Sequence, residues 1–492
     1  MKFWNISAWL GFFATAAVAE VYLSPDVVEG DIEEQHLQGI LWRLNHIASS
    51  NGGNRAFGTA GYNESVDFIL SHMHKRFGNA FDTWVQPFFH PFETTHAISV
   101  AGPEEEDVFV ISLQYNTATP LPRGVSAVLI DTPVDDERGS GCFEDQWDGI
   151  DASEKIALVK RGVCPISDKL KLAKSRGARA VILYNNEPGE TIVPASLGIA
   201  NVGLLVPAGI IRLEDGLDWK ERIADGEELF VSLIVDCVNE YRKSWNVIAE
   251  TRQGDPDNVI MLGAHLDSVQ AGPGVNDDGS GTAALLEIAT SLMKYEGIVN
   301  KVRFAWWGAE EVGLVGSLYY GQHLSEEDAD AIRFYFNYDM IGSKQPSYAV
   351  YADSDAHKTG GHILFDYLQA NGKDVYYGGF GSSSDYVAFL KLGIPSSGIF
   401  TGAGAPADQC YHQPCDDLEN INWEAFTLNT KAAGRAVAQL ALSLDGIPAR
   451  DKTSLNPSSK RGVQRELNQA AQLATVIEKS HKCGGDPGDD TV

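Results

Sequence analysis

The region from Asn258 to Asp339 carries groups of polar residues, each at the end of an apolar run. The groups are HLD at 265–267, NDD at 276–278, EE at 310–311 and Asp339. A further candidate, His412, follows in the segment CYHQPCDD at 410–417. Imidazole and carboxylate groups are ligands of borderline-hard divalent cations in proteins, and this set is large enough to hold a pair of them. The sequence therefore predicts a metal site.

Each of these groups has an ordinary structural explanation when it is taken alone. A histidine after a strand is often a core residue, the segment 276–278 could be a turn with a helix N-cap, and the pair 310–311 could be a solvated acidic patch. Asp339 is less ordinary because a lone buried carboxylate is costly. Five donor residues follow one another at strand ends, and a single metal site accounts for all of them better than five unrelated structural roles.

Strands and helices alternate around these residues. Near-continuous apolar runs at 259–263 and 302–307 predict strands that are buried on both faces, with a helix over 279–293 between them. Further strands are predicted at 332–338, 348–351 and 394–400, and further helices at 357–370 and 423–444. The pattern predicts a doubly wound α/β sheet, mixed and mainly parallel. Sites in such sheets form outside the carboxyl ends of strands, where the polar groups lie.

The region from 105 to 237 has a different character, with short β runs and helical segments near 167–176 and 208–224. Its segment KIALVKRGVCPISDKLKLAKSRGARAVILYNN resembles the protease-associated domain that is inserted in secreted and vacuolar peptidases. The resemblance is most specific around RGVC at 161–164, and it departs from the family at Ile166, where an aromatic residue is usual. It implies a β-rich inserted domain with a disulfide between Cys142 and Cys164. The insert is either a lid or specificity element, or a passive spacer.

The order of the polar groups resembles that of zinc-dependent aminopeptidases of the aminopeptidase Y type, a family that includes bacterial secreted leucine aminopeptidases. The motifs HLDS, NDDGSG, AEE, DM and YH carry the resemblance, which covers most of residues 31–445 apart from the insert. It implies the zinc exopeptidase fold, two zinc ions in each chain and removal of the N-terminal residue from peptides. We expect a preference for apolar N-terminal residues.

The resemblance also implies a role for each polar residue. The metal ligands would be His265, Asp277, Glu311, Asp339 and His412. Asp277 would bridge the two ions and would be followed by a cis peptide bond. His265 and Asp339 would hold different ions, and Glu311 and His412 would share the ion that Asp339 does not bind.

Two divalent ions about 3.5–4 Å apart can hold a bridging hydroxide at neutral pH, which would attack the scissile carbonyl. Glu310 would be the general base that passes the water proton to the leaving amine. Asp267 would accept a hydrogen bond from the His265 ring nitrogen that does not face the metal. Tyr411 would donate a hydrogen bond to the tetrahedral oxyanion.

The net charge and the N-terminus indicate where the protein acts. The formal charge of −29 disfavours binding to nucleic acid, and it favours either simple solubility or an acidic cleft for a peptide α-ammonium group. Residues 1–19 resemble a secretory signal, with Lys2, an apolar run over 9–17 and an Ala-Val-Ala cleavage motif. No later segment is apolar enough to span a membrane. We expect a soluble, secreted monomer, located outside the cell or in a vacuolar or lysosome-like compartment.

Export would permit the six cysteines to form disulfides. A short bridge between Cys410 and Cys415 would brace the loop that carries His412. Asn63 begins an acceptor sequon, so we expect a glycan there. The expected divisions of the chain are a signal at 1–19, a catalytic domain at 20–104 and 238–450, a protease-associated domain at 105–237 and a polar tail at 451–492.

Three other functions agree with part of these patterns. A carboxypeptidase or a glutaminyl cyclase would share the fold, and the cyclase would normally use one zinc ion. A receptor-like ectodomain would keep the fold without catalysis. The complete ligand set together with Glu310 favours two metals and hydrolysis, so we expect a metallo-aminopeptidase that acts on peptides with a free N-terminus.

Overall fold

The structure, a computed structural model, describes residues 21–77 and 79–453 and divides into two compact units. Within the described residues, unit 1 comprises the chain up to Pro87 together with the chain from Trp245 onward, and unit 2 comprises Phe88–Ser244. The predicted signal at 1–19 lies outside the described residues, as does the predicted tail beyond residue 453. Among the described helices, none combines the length and the hydrophobicity that a bilayer span requires.

The elements alternate along most of the chain. The helices are α1 (Pro25–Asp31), α2 (Glu34–Ser50), α3 (Ala60–Phe77), α4 (Ile166–Ser175), α5 (Leu213–Ala224), α6 (Gly279–Leu292), α7 (Val315–His323), α8 (Glu326–Ala331), α9 (Asp355–Ala370), α10 (Tyr386–Leu390) and α11 (Trp423–Leu442). The strands are β1 (Phe81–Ala101), β2 (Asp107–Val108), β3 (Val110–Ile111), β4 (Val125–Asp131), β5 (Ile156–Lys160), β6 (Ala180–Tyr184), β7 (Ala208–Ile211), β8 (Phe230–Thr251), β9 (Asp255–His265), β10 (Asn300–Trp307), β11 (Ile332–Tyr338), β12 (Tyr348–Tyr351), β13 (Val375–Gly378) and β14 (Ser396–Phe400).

Unit 1 is built on a mixed, mainly parallel sheet. Strands β14, β11, β9 and β10 are neighbours in that order, and each adjacent pair is parallel. At one end β12 joins β14 antiparallel and β13 joins β12 parallel, and at the other end β8 joins β10 antiparallel. Strands β10 and β11 and the part of β9 from Val259 onward are largely buried, as near-continuous apolar runs require. The predicted doubly wound α/β sheet is confirmed.

Helix α6 lies directly beside the ends of these strands. Its side chains are buried on nearly every face, which is the pattern of a helix within a core. It begins with small residues because the backbone of β11 comes close: a Cβ on Gly281 would lie 1.8 Å from the carbonyl oxygen of Tyr338. The Asp278 side chain caps the helix by accepting from the N–H of Gly281 at 2.8 Å. The close contact holds the start of α6 against the strand ends.

Unit 2 has a smaller sheet of its own. Strands β4, β5, β6 and β7 pair parallel in that order, while β3 joins β7 antiparallel and the first residues of β8 join β4 antiparallel. The disulfide between Cys142 and Cys164 is present. The helix predicted over 208–224 is wrong at its start, because the buried apolar residues Ala208–Ile211 extend the sheet as β7 and the helix begins only at Leu213.

The predicted glycan acceptor lies in unit 1. Asn63 is exposed near the start of α3, and the hydroxyl of Ser65 in the same sequon donates to the Gly61 carbonyl at 2.8 Å. The acceptor amide is therefore on the surface, although the glycan itself stays a prediction.

Candidate metal centre

The predicted ligands of unit 1 meet at the carboxyl ends of its parallel strands. His265 ends β9, the pair Glu310 and Glu311 follows β10, and Asp339 follows β11. Asp277 directly precedes the N-cap of α6. Parallel strands bring their carboxyl ends to one edge of a sheet, so residues distant in sequence become neighbours.

One ligand atom from each of three residues comes within 4.8 Å of the others in two groups. The groups are His265 with Glu310 and Asp339, and His265 with Asp277 and Glu311. Both groups contain His265, whose side chain is 1% exposed. A cation held by either group would therefore contact the residue that ends β9.

The Asp277 carboxylate lies between two imidazole rings. Its Oδ1 is 3.1 Å from His265 Nε2, and its Oδ2 is 3.2 Å from His412 Nε2. Glu311 Oε2 lies 3.1 Å from His412 Nε2, and Asp339 Oδ1 lies 3.7 Å from His265 Nε2. The distances thus place Asp339 with His265 and Glu311 with His412, and Asp277 joins the two sets. The peptide bond after Asp277 is cis.

This grouping differs from the expected one, in which His265 and Asp339 hold different ions. The physical reason is the strand order, since β9 and β11 are hydrogen-bonded neighbours and their ends are adjacent. His412 comes instead from a loop and meets the other oxygen of Asp277.

The donor set fits divalent cations. Burial raises the pKa of Glu311 to about 7, and burial raises the pKa of Glu310 well above its usual range. Within the described part of the chain, the buried Oε1 of Glu311 has no hydrogen-bond partner. Crowded carboxylates with an orphaned buried oxygen are costly unless a cation satisfies them. Imidazole and carboxylate donors are the ligands that zinc takes.

The Asp267 side chain was expected to accept a hydrogen bond from the His265 ring, but the Asp267 backbone carbonyl lies in that position and the carboxylate turns to the loop after β10. The ring Nδ1 of His265 lies 3.1 Å from the Asp267 carbonyl oxygen and 3.8 Å from its carboxylate. The carboxylate accepts the N–H groups of Glu310 at 3.1 Å and Glu311 at 3.3 Å. Asp267 therefore ties the loop after β10 to the end of β9.

Two further buried aspartates hold the ligand backbone, and the sequence motifs assigned them no such role. Asp278 accepts the N–H of His265 at 3.1 Å, and Asp416 accepts the N–H of Asp277 at 3.0 Å. Burial raises the pKa of Asp416 to about 7. The sequence draws attention to Asp416 only because it follows Cys415 in the segment that carries His412. Nothing in that segment indicates that its carboxylate accepts the N–H of Asp277.

Ser384 fixes the orientation of the Asp339 carboxylate. Its hydroxyl donates to Asp339 Oδ2 at 2.6 Å and accepts from Asn337 Nδ2 at 2.8 Å. All three side chains are buried or nearly so. The remaining oxygen of Asp339, Oδ1, is the one that faces His265.

His412 is the most exposed of the predicted ligands. It lies in the loop closed by the disulfide between Cys410 and Cys415, it adopts a left-handed backbone conformation with φ of 58°, and its side chain is 38% exposed. The Tyr411 ring stacks on the His412 ring with 3.8 Å between centroids. Burial raises the pKa of Tyr411, so its hydroxyl stays a hydrogen-bond donor at neutral pH.

A pocket of about 350 Å³ adjoins the ligands, and Tyr411 and Ser384 also line it. Its wall carries large apolar and aromatic side chains: Met340, Tyr351, Tyr376, Tyr386 and Phe400. A pocket with such a wall and a few polar groups at one end suits a small apolar group attached to a polar one.

Comparisons with known families agree with this architecture. Residues 246–437 match peptidase family M28, and residues 125–219 match the PA domain. Aminopeptidase Y of Saccharomyces cerevisiae is 34% identical, with 84% of this chain and 78% of the relative covered. A probable leucine aminopeptidase 2 of Aspergillus oryzae is 34% identical, with 91% and 92% covered.

Solved structures resemble most of the chain. An aminopeptidase from Aneurinibacillus sp. strain AM-1 superposes with a TM-score of 0.64 at 27% identity, with 85% of this chain and 96% of that chain covered. BSAP, a zinc aminopeptidase from Bacillus subtilis, gives a TM-score of 0.61 at 28% identity, with 83% and 95% covered.

Fold, site and comparisons together define a metallo-exopeptidase of the aminopeptidase class with an inserted PA domain. The chain belongs to peptidase family M28. The family, the fold and the enzyme class predicted from the motifs are confirmed. As an aminopeptidase, the protein acts on peptide substrates.

Proposed function

We propose that this protein is a secreted zinc aminopeptidase that removes N-terminal residues, preferably apolar ones, by a two-metal mechanism. The observation that supports it most is the position of the Asp277 carboxylate between His265 and His412, each of which has a second carboxylate beside it. A ligand set that divides in this way around one carboxylate suits two ions better than one.

In this proposal His265 and Asp339 would hold one ion and His412 and Glu311 would hold the other, with the Asp277 carboxylate between the two pairs. Bound zinc would supply Lewis-acid activation of a water molecule and of the scissile carbonyl. Asp267 contacts both His265 and the loop after β10, so it holds the ligands of these two segments close to each other.

Glu310 is the proposed general base. One of its oxygens lies 3.9 Å from His265 Nε2, a longer distance than those of the paired ligands, and its side chain lines the pocket. A carboxyl group whose pKa is raised by burial can take the proton of the attacking water and return it to the leaving amine. Tyr411 is proposed to donate to the substrate carbonyl oxygen as that oxygen gains negative charge.

The pocket wall and the charge of the chain support the proposed substrate. The aromatic wall would bury an apolar side chain, and the excess of acidic groups would attract the α-ammonium group of a peptide. The predicted signal, the two disulfides and the exposed Asn63 support secretion and glycosylation. We further propose that the enzyme is a monomer and that the domain divisions given above, with the protease-associated domain at 105–237, describe the chain.

The proposal is tested with leucine p-nitroanilide and its N-acetylated form, with the full chain before and after chelation. We expect hydrolysis of the free-amine substrate alone, loss of activity with a chelator, and recovery as two zinc ions per chain are restored. Hydrolysis of the acetylated substrate would contradict the assignment as an aminopeptidase, which requires a free α-amino group. Full recovery at one zinc ion per chain would contradict the two-metal mechanism.

A further inference from the structure

Arg55 is a completely buried arginine in the loop between α2 and α3. Neither the motifs nor the proposed mechanism gives it a role. A buried charge is costly unless hydrogen bonds and opposite charges compensate for it. Its surroundings should therefore show why a guanidinium is held there.

Arg55 contacts one short segment of unit 1. Its guanidinium donates to the carbonyl oxygens of Leu266, Pro273 at 3.0 Å and Gly274 at 2.7 Å. Its backbone N–H donates to Ser268 Oγ at 2.9 Å. These acceptors all lie between His265 and Asp277, so one side chain ties together both ends of the loop that joins two proposed ligands.

The charge of Arg55 also has a local counterpart. Burial lowers the pKa of Arg55, and the carboxylates of Asp267, Asp278, Asp416 and Asp277 act against that effect. The first three are the residues that accept backbone N–H groups of the proposed ligands Glu311, His265 and Asp277. The guanidinium is therefore a positive charge placed among the carboxylates that support the site.

We propose that Arg55 is a positioning residue that holds the segment 266–276, and with it His265 and Asp277, in the arrangement that receives zinc. The inference rests on the proposed function, because it takes those two residues as zinc ligands. A planar guanidinium offers several donors at fixed angles and can hold carbonyl groups from both ends of a loop, whereas an ammonium group is a single point of charge. A loop fixed in advance loses less conformational entropy when the ion binds.

The test compares Arg55→Lys with Arg450→Lys as the matched control. Arg450 is also a buried arginine of unit 1, and it bonds to Glu326, Asp330 and the Leu392 carbonyl. Zinc affinity is measured by competition with a chromophoric chelator. We expect R55K to bind zinc about 10–100-fold more weakly than the wild type and R450K to bind it as the wild type does. Equal zinc affinities in R55K and R450K would overturn the proposal.

Hydrogen exchange of the metal-free protein gives a readout that is independent of activity. We expect faster exchange in residues 266–276 of R55K than in the same residues of R450K, and equal rates would overturn the proposal. If R55K does not fold, the wild type decides. Because the guanidinium holds the Leu266, Pro273 and Gly274 carbonyl groups before the ion binds, residues 266–276 should exchange as slowly in the metal-free protein as in the zinc-loaded protein. Much faster exchange in the metal-free protein would overturn the positioning role. A wild-type chain that binds no zinc in the same titration would overturn the proposed function itself, and this inference with it.

Discussion

The strand ends of the two units carry charged residues in two different ways. In unit 2, Asp131 at the end of β4 pairs with Lys220, and Lys160 at the end of β5 lies 2.7 Å from Asp136. These side chains are 20–71% exposed, so they pair in contact with water. In unit 1 the strand ends bring carboxylates together with the imidazole of His265, a loop adds that of His412, and most of these side chains are buried.

The difference shows how a functional site can be told from ordinary ion pairs when both lie at the ends of parallel strands. The carboxylates of unit 2 each have a lysine partner, so these pairs are close to neutral and need no ligand. Buried carboxylates crowded together are costly, and their perturbed pKa values mark a functional site. Both units contain parallel strands with helices, so the function lies in the side chains at the strand ends and not in the fold class.

The largest expected effect is that of Glu310→Gln in unit 1, with Asp131→Asn in unit 2 as its control. The amide cannot accept the water proton, so we expect kcat to fall by about 10²–10⁴-fold with zinc content unchanged. D131N weakens a half-buried ion pair of unit 2 and should leave kcat as in the wild type. Near-normal turnover in E310Q would contradict the base assignment, and loss of zinc from E310Q would make Glu310 a ligand.

Tyr411→Phe tests the polar end of the pocket in unit 1. Loss of the hydroxyl removes one donor to the developing oxyanion but keeps the ring that stacks on His412. We expect kcat to fall by about 10²-fold with little change in KM. Steady-state kinetics with leucine p-nitroanilide measure this. An unchanged kcat would leave Tyr411 with a packing role alone.

Unit 2 should show its own pH dependence through His90. Burial lowers the pKa of His90 from 6.5 to about 4, so its ring is neutral in the folded protein at pH values where the unfolded chain binds a proton. Stability should therefore fall as the pH falls from 6.5 to about 4, by at most about 3 kcal/mol. Urea denaturation at several pH values across this range measures how the free energy of unfolding changes with pH. His90→Gln should reduce that change, and an equal pH dependence in both proteins would contradict the prediction.

The two disulfides within the described residues should differ in what they affect. The Cys410–Cys415 bridge closes the loop of His412, so replacing both cysteines by serine should weaken zinc affinity by about 10-fold. The same change at Cys142 and Cys164 in unit 2 should lower the melting temperature and leave zinc affinity unchanged. Chelator competition and thermal unfolding measure the two effects. Equal zinc affinities in the two variants would contradict the loop-bracing role.

Much of the site could be predicted from the sequence because the end of a buried strand is visible as the point where an apolar run stops. The apolar runs of β9, β10 and β11 locate three ends, and the residues that follow them have metal-ligand chemistry. The protease-associated motif likewise indicated unit 2 and its disulfide. The start of α5 could not be read in the same way, because four buried apolar residues suit a strand or a helix equally.

The residues that hold the ligands in place could not be predicted. Arg55 and Asp416 are distant in sequence from the segment between His265 and Asp277 that they contact, and both act on backbone groups. A backbone carbonyl or N–H has no sequence signature. The same limit explains the grouping of Asp339 with His265, which depends on strand order.

The sequence by itself determined the family, the alternation of strands and helices, and the chemical types of the donors. These follow from local composition and from the order of motifs along one chain. The tertiary structure alone decided which donors share a neighbour, which oxygen of Asp277 faces which ring, and where the buried guanidinium lies. Such facts depend on distances between segments that only a folded sheet brings together.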